Sequence, residues 1–244
     1  MLTGSLVLTT SDNGSDMRTI HVANLTKQFG DTIAVRDVNF SINKGEVVGF
    51  VGPNGAGKTT TIAMLLGFMK PHKGSVKLLD KYIITPETAH LAHKHIGYVA
   101  GDMTLFDGMT GQQYLQFMGH RFGVDATVRK RLDDKLSPQL DKRLKHLSRG
   151  NKQKISLIAA LQHDPDLIIM DEPTSGLDPL MQETFLNIIR EEAHRGATVF
   201  MSSHILSEVA RACSRIIFMK NGRIMTDKPL KEIESNAGKL IRLS

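Results

Sequence analysis

The chain has no tryptophan, a single cysteine, and aromatic residues at only 5% of its 244 positions. The lone thiol, Cys213, excludes an internal disulfide and any zinc site built on cysteines. No catalytic pattern surrounds it, so it reads as a half-buried packing residue. The scarcity of rings leaves no platform for stacking nucleic-acid bases. Long apolar runs are also missing. Ile155 to Leu161 and Leu167 to Met170 are the longest core-like stretches, far short of the ~20 residues a membrane-spanning helix needs. The first residues carry no basic stretch followed by an apolar one, so no secretory signal is expected. Net charge is +6 and the isoelectric point about 9.4. The basic residues are scattered, which fits a solvated surface rather than a nucleic-acid or anionic-membrane footprint. The expectation is a cytoplasmic protein with no nucleic-acid partner.

What is present is an ordinary globular balance, 41% hydrophobic and 23% charged, in a length that suits one large α/β domain with a subdomain. Residues 1–18, rich in Ser, Thr, Gly and Asp, read as a loose tail. From Thr19 to Ile42 the apolar residues tend to alternate (Ile20, Val22, Leu25, then Val35, Val38, Phe40, Ile42), the mark of antiparallel strands. Glu46 to Val51 reads as a buried strand, and Thr59 to Leu66 as a helix stopped by Gly67. Thr110 to Gln162 looks mainly helical. Asp164 to Met170 ends in another buried strand. Asp178-Pro179 opens a helix with Asp as its cap and Pro in its first turn. Ala197 to Ser202 is a third short strand, and Asn221-Gly222 joins two more in a hairpin. Strands alternating with helices predict a mainly parallel sheet with crossover helices.

Gly52-Pro53-Asn54-Gly55-Ala56-Gly57-Lys58-Thr59-Thr60 fits G-x-x-x-x-G-K-[ST], between a strand and a helix. Glycines let successive backbone N–H groups turn toward one phosphate, and the helix that follows points its positive end there. Lys58 supplies a cation for the β- and γ-phosphates of ATP, and Thr59 a hydroxyl for Mg²⁺. Leu167-Ile168-Ile169-Met170-Asp171-Glu172 is the matching half. Four apolar residues make a strand buried on both faces, and two carboxylates emerge at its C-terminal end, where open α/β sheets hold their ligands. Asp171 is the expected Mg²⁺ partner, through water, and Glu172 the group that polarises the attacking water. His204, after the Ser202-Ser203 strand end, reads as a sensor of the γ-phosphate.

Leu147-Ser148-Arg149-Gly150-Asn151, followed by Lys152-Gln153-Lys154 and an apolar helix, resembles the signature of the ABC ATPases, usually Leu-Ser-Gly-Gly-Gln. Ser175-Gly176-Leu177-Asp178 resembles that family's D-loop, and His204 its switch histidine. Phe29 stands where the family places an aromatic against adenine; the alternative is a core residue at a strand end. The resemblance spans about Thr19 to Thr226. It implies a P-loop (RecA-like) core, an N-terminal antiparallel β layer, a helical signature subdomain near 102–163, and a C-terminal extension over 227–244. Three departures stand out. Gly101 occupies the place of the Q-loop Gln in Ile96-Gly97-Tyr98-Val99-Ala100-Gly101-Asp102, which leaves Asp102 or a neighbour to substitute. Arg149 replaces the first signature Gly, and Asn151 stands in place of the signature Gln.

The resemblance implies that two subunits, expected to be a homodimer, pair head to tail. ATP at Gly52 to Thr60 of one subunit is then covered by Ser148, Arg149, Gly150, Asn151 and Asp178 of the other. A separate integral membrane permease docks near Tyr98 to Phe106, holding the subunit on the inner membrane face. The Gly-x-Lys-Gln-Lys continuation is most like subunits of drug, antibiotic and bacteriocin exporters. A soluble relative working on ribosomes or DNA is the rival, as is a non-hydrolysing regulatory subunit.

Overall fold

In the segment Leu167–Met170 every residue is buried, yet the side chains divide by parity. Leu167 and Ile169 enter one hydrophobic cluster and Ile168 and Met170 another. That period of two is the pleat of a strand covered on both faces, and it describes the whole molecule: a central sheet between two unlike layers. The computed structural model describes residues 18–101, 105–175, 177–233 and 235.

In chain order the elements are β1 (Arg18–Phe29), β2 (Thr32–Asn43), β3 (Val47–Val51), α1 (Lys58–Leu65), β4 (Lys73–Leu78), β5 (Tyr82–Ile83), α2 (His90–His93), β6 (Ile96–Val99), α3 (Gly111–Phe122), α4 (Ala126–Leu136), α5 (Arg149–Leu161), β7 (Leu167–Met170), α6 (Pro179–His194), β8 (Thr198–Ser203), α7 (Leu206–Ala210), β9 (Arg215–Lys220) and β10 (Arg223–Pro229). The central sheet has the order β10-β9-β3-β8-β7-β6, and all its pairings are parallel except β9 with β10. A smaller antiparallel sheet, β2-β1-β4-β5, lies over one face. Phe40 of that layer stacks on Phe200 of β8 at 5.6 Å, and Phe200 meets Phe50 of β3 at 5.2 Å. Helices α3 to α6 cover the other face through Leu115, Leu132, Ile155 and Phe185.

The expected architecture is therefore present: a mainly parallel core, an antiparallel layer and a helical segment, with α3, α4 and α5 between residues 111 and 161. Several details are corrected. β3 begins at Val47 rather than Glu46, and α1 spans Lys58–Leu65 with Leu66 as its cap. β4 and β5, which complete the small sheet, carry no apolar periodicity of their own. The boundary placed at 226 cuts through β10, whose pairing with β9 continues to Pro229. Cys213 is buried rather than half-buried, and burial pushes its thiol up to about 12.

Parallel register aligns the strand ends that matter. Val51 sits opposite Ser203, Met170 opposite Met201, and Val99 opposite Met170. Gly52, Asp171, His204 and Ala100 therefore leave the sheet along a single edge.

Candidate nucleotide site

The glycine loop is held open by its neighbours. Gly57, at φ 107°, is the N-cap of α1 and offers no side-chain cap to the first turn. A Cβ there would lie 2.5 Å from the Ala34 carbonyl oxygen, so only glycine fits. The loop is pinned by Gly52 N–H donating to Ser203 O at 3.3 Å and Gly222 N–H donating to Ala56 O at 3.0 Å. Lys58, only 5% exposed, donates to Gly52 O at 2.7 Å and Pro53 O at 3.2 Å, and its Nζ lies 3.3 Å from Glu172 Oε1. A buried ammonium carrying three oxygen contacts is a preformed cation for phosphate oxygens.

Glu172 is the other fixed point. Its φ of 45° is a left-handed conformation that a non-glycine residue rarely holds. Ser202 Oγ stabilises it by accepting from Glu172 N–H at 2.9 Å while donating to Asp171 Oδ1 at 2.5 Å. The Glu172 carboxylate sits between Lys58 and His204, whose Nδ1 is 3.1 Å from Oε2. Thr59, Asp171 and Glu172 line one cavity of 390 Å³ with Tyr98, Ala100, Gly101, Arg149 and Ser175. Thr59 and Asp171 bring hydroxyl and carboxylate oxygens to it, the hard donors that suit Mg²⁺. Tyr98 is pushed up to about 12 by burial and then by the Asp171 charge, so it stands there as a neutral phenol.

Signature residues fall at the start of α5. Ser148 is the N-cap, its Oγ accepting from Asn151 N–H at 3.3 Å and Asn151 Nδ2 at 3.2 Å. Arg149 reaches Ser175 Oγ at 3.4 Å and lines the Thr59 cavity, whereas Ser148, Gly150 and Asn151 do not line it. Asp178 caps α6 by accepting from Met181 N–H at 2.9 Å, the capping its sequence predicts. Phe29 is 48% exposed at the end of β1, with the Lys27 ammonium 5.4 Å from its ring centroid. That overturns the core-residue alternative and leaves an open face. At Gly101, a Cβ would stand 2.8 Å from the Asp171 carbonyl oxygen. The backbone itself presses against the carboxylate strand where a Gln side chain was expected. Asp102, the suggested substitute, and Gly176 lie outside the described residues.

Sequence reasoning missed Ser202 as a partner of the carboxylates. One signal for it exists: a hydroxyl residue at an inward position after Val199-Phe200-Met201. Gln153 was also missed. It is buried in α5 and donates to Pro173 O at 2.5 Å, tying the signature helix to the carboxylate loop.

A strand, a glycine loop, a helix and a carboxylate at the end of a nearby parallel strand define a P-loop nucleotide hydrolase. The model of the ABC transporter family matches residues 35–175. The Nod factor export ATP-binding protein I of Burkholderia lata is 35% identical over 226 residues, 90% of this chain and 74% of its own length. The ABC transporter ATP-binding protein NatA of Bacillus subtilis is 34% identical over 198 residues, 79% of this chain and 80% of its own. A solved ATP-binding subunit of an ABC transporter superposes with a TM-score of 0.79 at 29% identity, covering 90% of this chain and 93% of that one. The chain belongs to the ABC transporter family, as an ATP-binding subunit that hydrolyses ATP.

Proposed function

We propose that this chain drives export, as one of two head-to-tail ATPase subunits working on a separate membrane permease. The observation that carries the catalytic part is the Glu172 carboxylate, held between Lys58 at 3.3 Å and His204 at 3.1 Å at the edge of the Thr59–Asp171 cavity. In this reading, loop amides from Gly52 to Thr60 cradle the phosphates of ATP and Lys58 neutralises their β- and γ-oxygens. Mg²⁺, held through Thr59 and Asp171, supplies further charge neutralisation. Glu172 orients a water and takes its proton as the water oxygen bonds to the γ-phosphorus. The bond from that phosphorus to the β–γ bridging oxygen breaks, leaving ADP and phosphate. His204 reports on the γ-phosphate. The work of the site is positioning plus charge neutralisation. Phe29 presents its open face to adenine.

Ser148, Arg149, Gly150 and Asn151 of a second subunit complete the site, with Asp178 beside them. Neither surface holds the γ-phosphate fully alone, so ATP closes the pair and phosphate release reopens it.

A cavity of 310 Å³ supports the permease contact. It lies between β6 and helices α3 and α5, lined mainly by apolar and aromatic residues, among them Leu66, Phe68, Tyr98, Leu105, Tyr114 and Met118. Phe68 is 62% exposed at its rim, and Phe106 and Phe117 pack edge to face beside it. A short partner helix would bury these rings. No described helix is long and apolar enough to cross a membrane. Export, rather than import, rests on relatives named for Nod factor export and multidrug transport.

The test is to purify the tagged chain from membranes of its native cell in mild detergent. Recovery of a stoichiometric multi-span protein is the expected result. Recovery with ribosomes, or alone from the soluble fraction, would remove transport from the reading and leave the ATPase.

A further inference from the structure

Glu208 lies one turn past His204, in the five-residue helix α7, and touches neither Lys58 nor the glycine loop. Its carboxylate nevertheless joins two segments that flank the catalytic pair. Oε2 accepts from Thr174 Oγ1 at 2.7 Å and from Ser203 Oγ at 3.3 Å. Thr174 follows Glu172 by two residues, and Ser203 precedes His204. Both hydroxyl residues are only 2% exposed. Ser203 Oγ also accepts from Ile205 N–H at 2.9 Å, which closes the turn that carries His204. Glu172, Thr174, Ser203, His204 and Glu208 meet in one small cavity of 130 Å³. Helix α7 is anchored at its other end, by Val209 and the following Cys213, buried against β3, and by Arg211, whose carbonyl accepts from Arg190 and whose guanidinium pairs with Glu183.

We infer that Glu208 is a positioning residue: it clamps the segment after β7 to the segment after β8, so that His204 and the Thr174-Ser175 loop move as one body. This rests on the roles given above to Glu172 and His204. Two hydroxyls donating to one carboxylate are charge-assisted bonds, roughly twice as strong as neutral ones. Removing the carboxylate leaves the buried Thr174 hydroxyl without its acceptor and turns the Ser203 hydroxyl wholly to Ile205 O, 3.3 Å away. His204 is then free to shift relative to Glu172, while the phosphate loop, held by Ser203 O and Gly222, keeps its shape. The cost therefore falls on turnover and not on ATP binding.

The test uses the purified full chain in steady-state MgATP hydrolysis, with fluorescent-nucleotide titration and thermal melting alongside. Thr174→Val and Glu208→Ala are each expected to lower kcat about tenfold with the ATP KM and nucleotide affinity within about twofold. The double variant should be no slower than the worse single one, because both remove the same contact. Glu208→Gln keeps an acceptor oxygen and should recover most of the rate. Losses that multiply to about a hundredfold in the double variant would overturn the clamp. So would a raised KM with unchanged kcat, or a normal rate per folded molecule with only a lowered melting temperature. Glu172→Gln is measured beside them. If it stays fully active, the underlying reading of Glu172 falls. If it is inactive while both clamp variants are normal, the clamp falls alone.

Discussion

Helices α1 and α5 both open beside the cavity that holds Thr59 and Arg149, and they open differently. The first turn of α1 is capped by Gly57, which has no side chain to offer, so its N–H groups stand ready for a ligand. The first turn of α5 is capped by Ser148, whose hydroxyl already accepts from Asn151 N–H. Replacing such a cap costs about 1 kcal/mol of helix stability. The α1 terminus is a standing receptor for phosphate. The α5 terminus is a helix end whose capping hydroxyl is already engaged by Asn151. In the proposed head-to-tail pair, the first end would serve the chain's own nucleotide and the second a nucleotide brought by the other subunit.

The largest effect expected on this contrast is at Lys58. Lys58→Ala removes the buried cation at the α1 end and should abolish nucleotide binding, read by fluorescent-ATP titration; normal affinity would end the phosphate assignment. Glu172→Gln comes next. It should keep ATP binding, reduce hydrolysis to background and accumulate an ATP-bound dimer on size exclusion, whereas an unchanged rate would refute Glu172 as the base. Ser148→Ala tests the α5 end. Affinity of the dilute monomer for ATP should hold, while hydrolysis at dimer-forming concentrations drops about tenfold. A matching fall in monomer affinity would put both helix ends on the same nucleotide and dissolve the contrast. The smallest effect concerns Cys213, whose thiol burial pushes from 9.0 to about 12. At pH 8 the native thiol stays protonated and should resist alkylation until the chain unfolds. A raised native value stabilises the fold fully below pH 9, and that contribution fades as pH climbs toward 12. Rapid alkylation of the native chain at pH 8 would contradict this burial.

The phosphate half of the site was legible because its chemistry needs particular residues side by side. Glycines, Lys58 and Thr59 are contiguous, and Asp171 and Glu172 end an unmistakable apolar run. Strand β4 was not legible. Lys73-Gly74-Ser75-Val76-Lys77-Leu78 buries only Val76 and Leu78, and what makes it a strand is pairing with β1, Ile20 opposite Leu78, a tertiary event no local pattern encodes. The hairpin turn at Asn221-Gly222 did reveal the start of β10, but not its run on to Pro229, because no residue in it is buried. Ser202 and Glu208 bond to partners about thirty residues away, across parallel strands, so their roles appear only once the strands are side by side. Gly101 was readable as a departure, but the close approach of its backbone to Asp171 was not.

The hairpin at Asn221-Gly222 has a consequence in time. Every phosphate and carboxylate motif of the site lies between Gly52 and His204. Yet the loop that binds phosphate leans on strand β9, its neighbour in the sheet, and on the Gly222 N–H that holds Ala56. A ribosome that has released the chain only as far as His204 has therefore delivered these motifs and the β8 side of the brace, but not its β9 and Gly222 side. The nascent chain should pass through most of its synthesis blind to ATP, and gain its affinity with the last few strands to emerge.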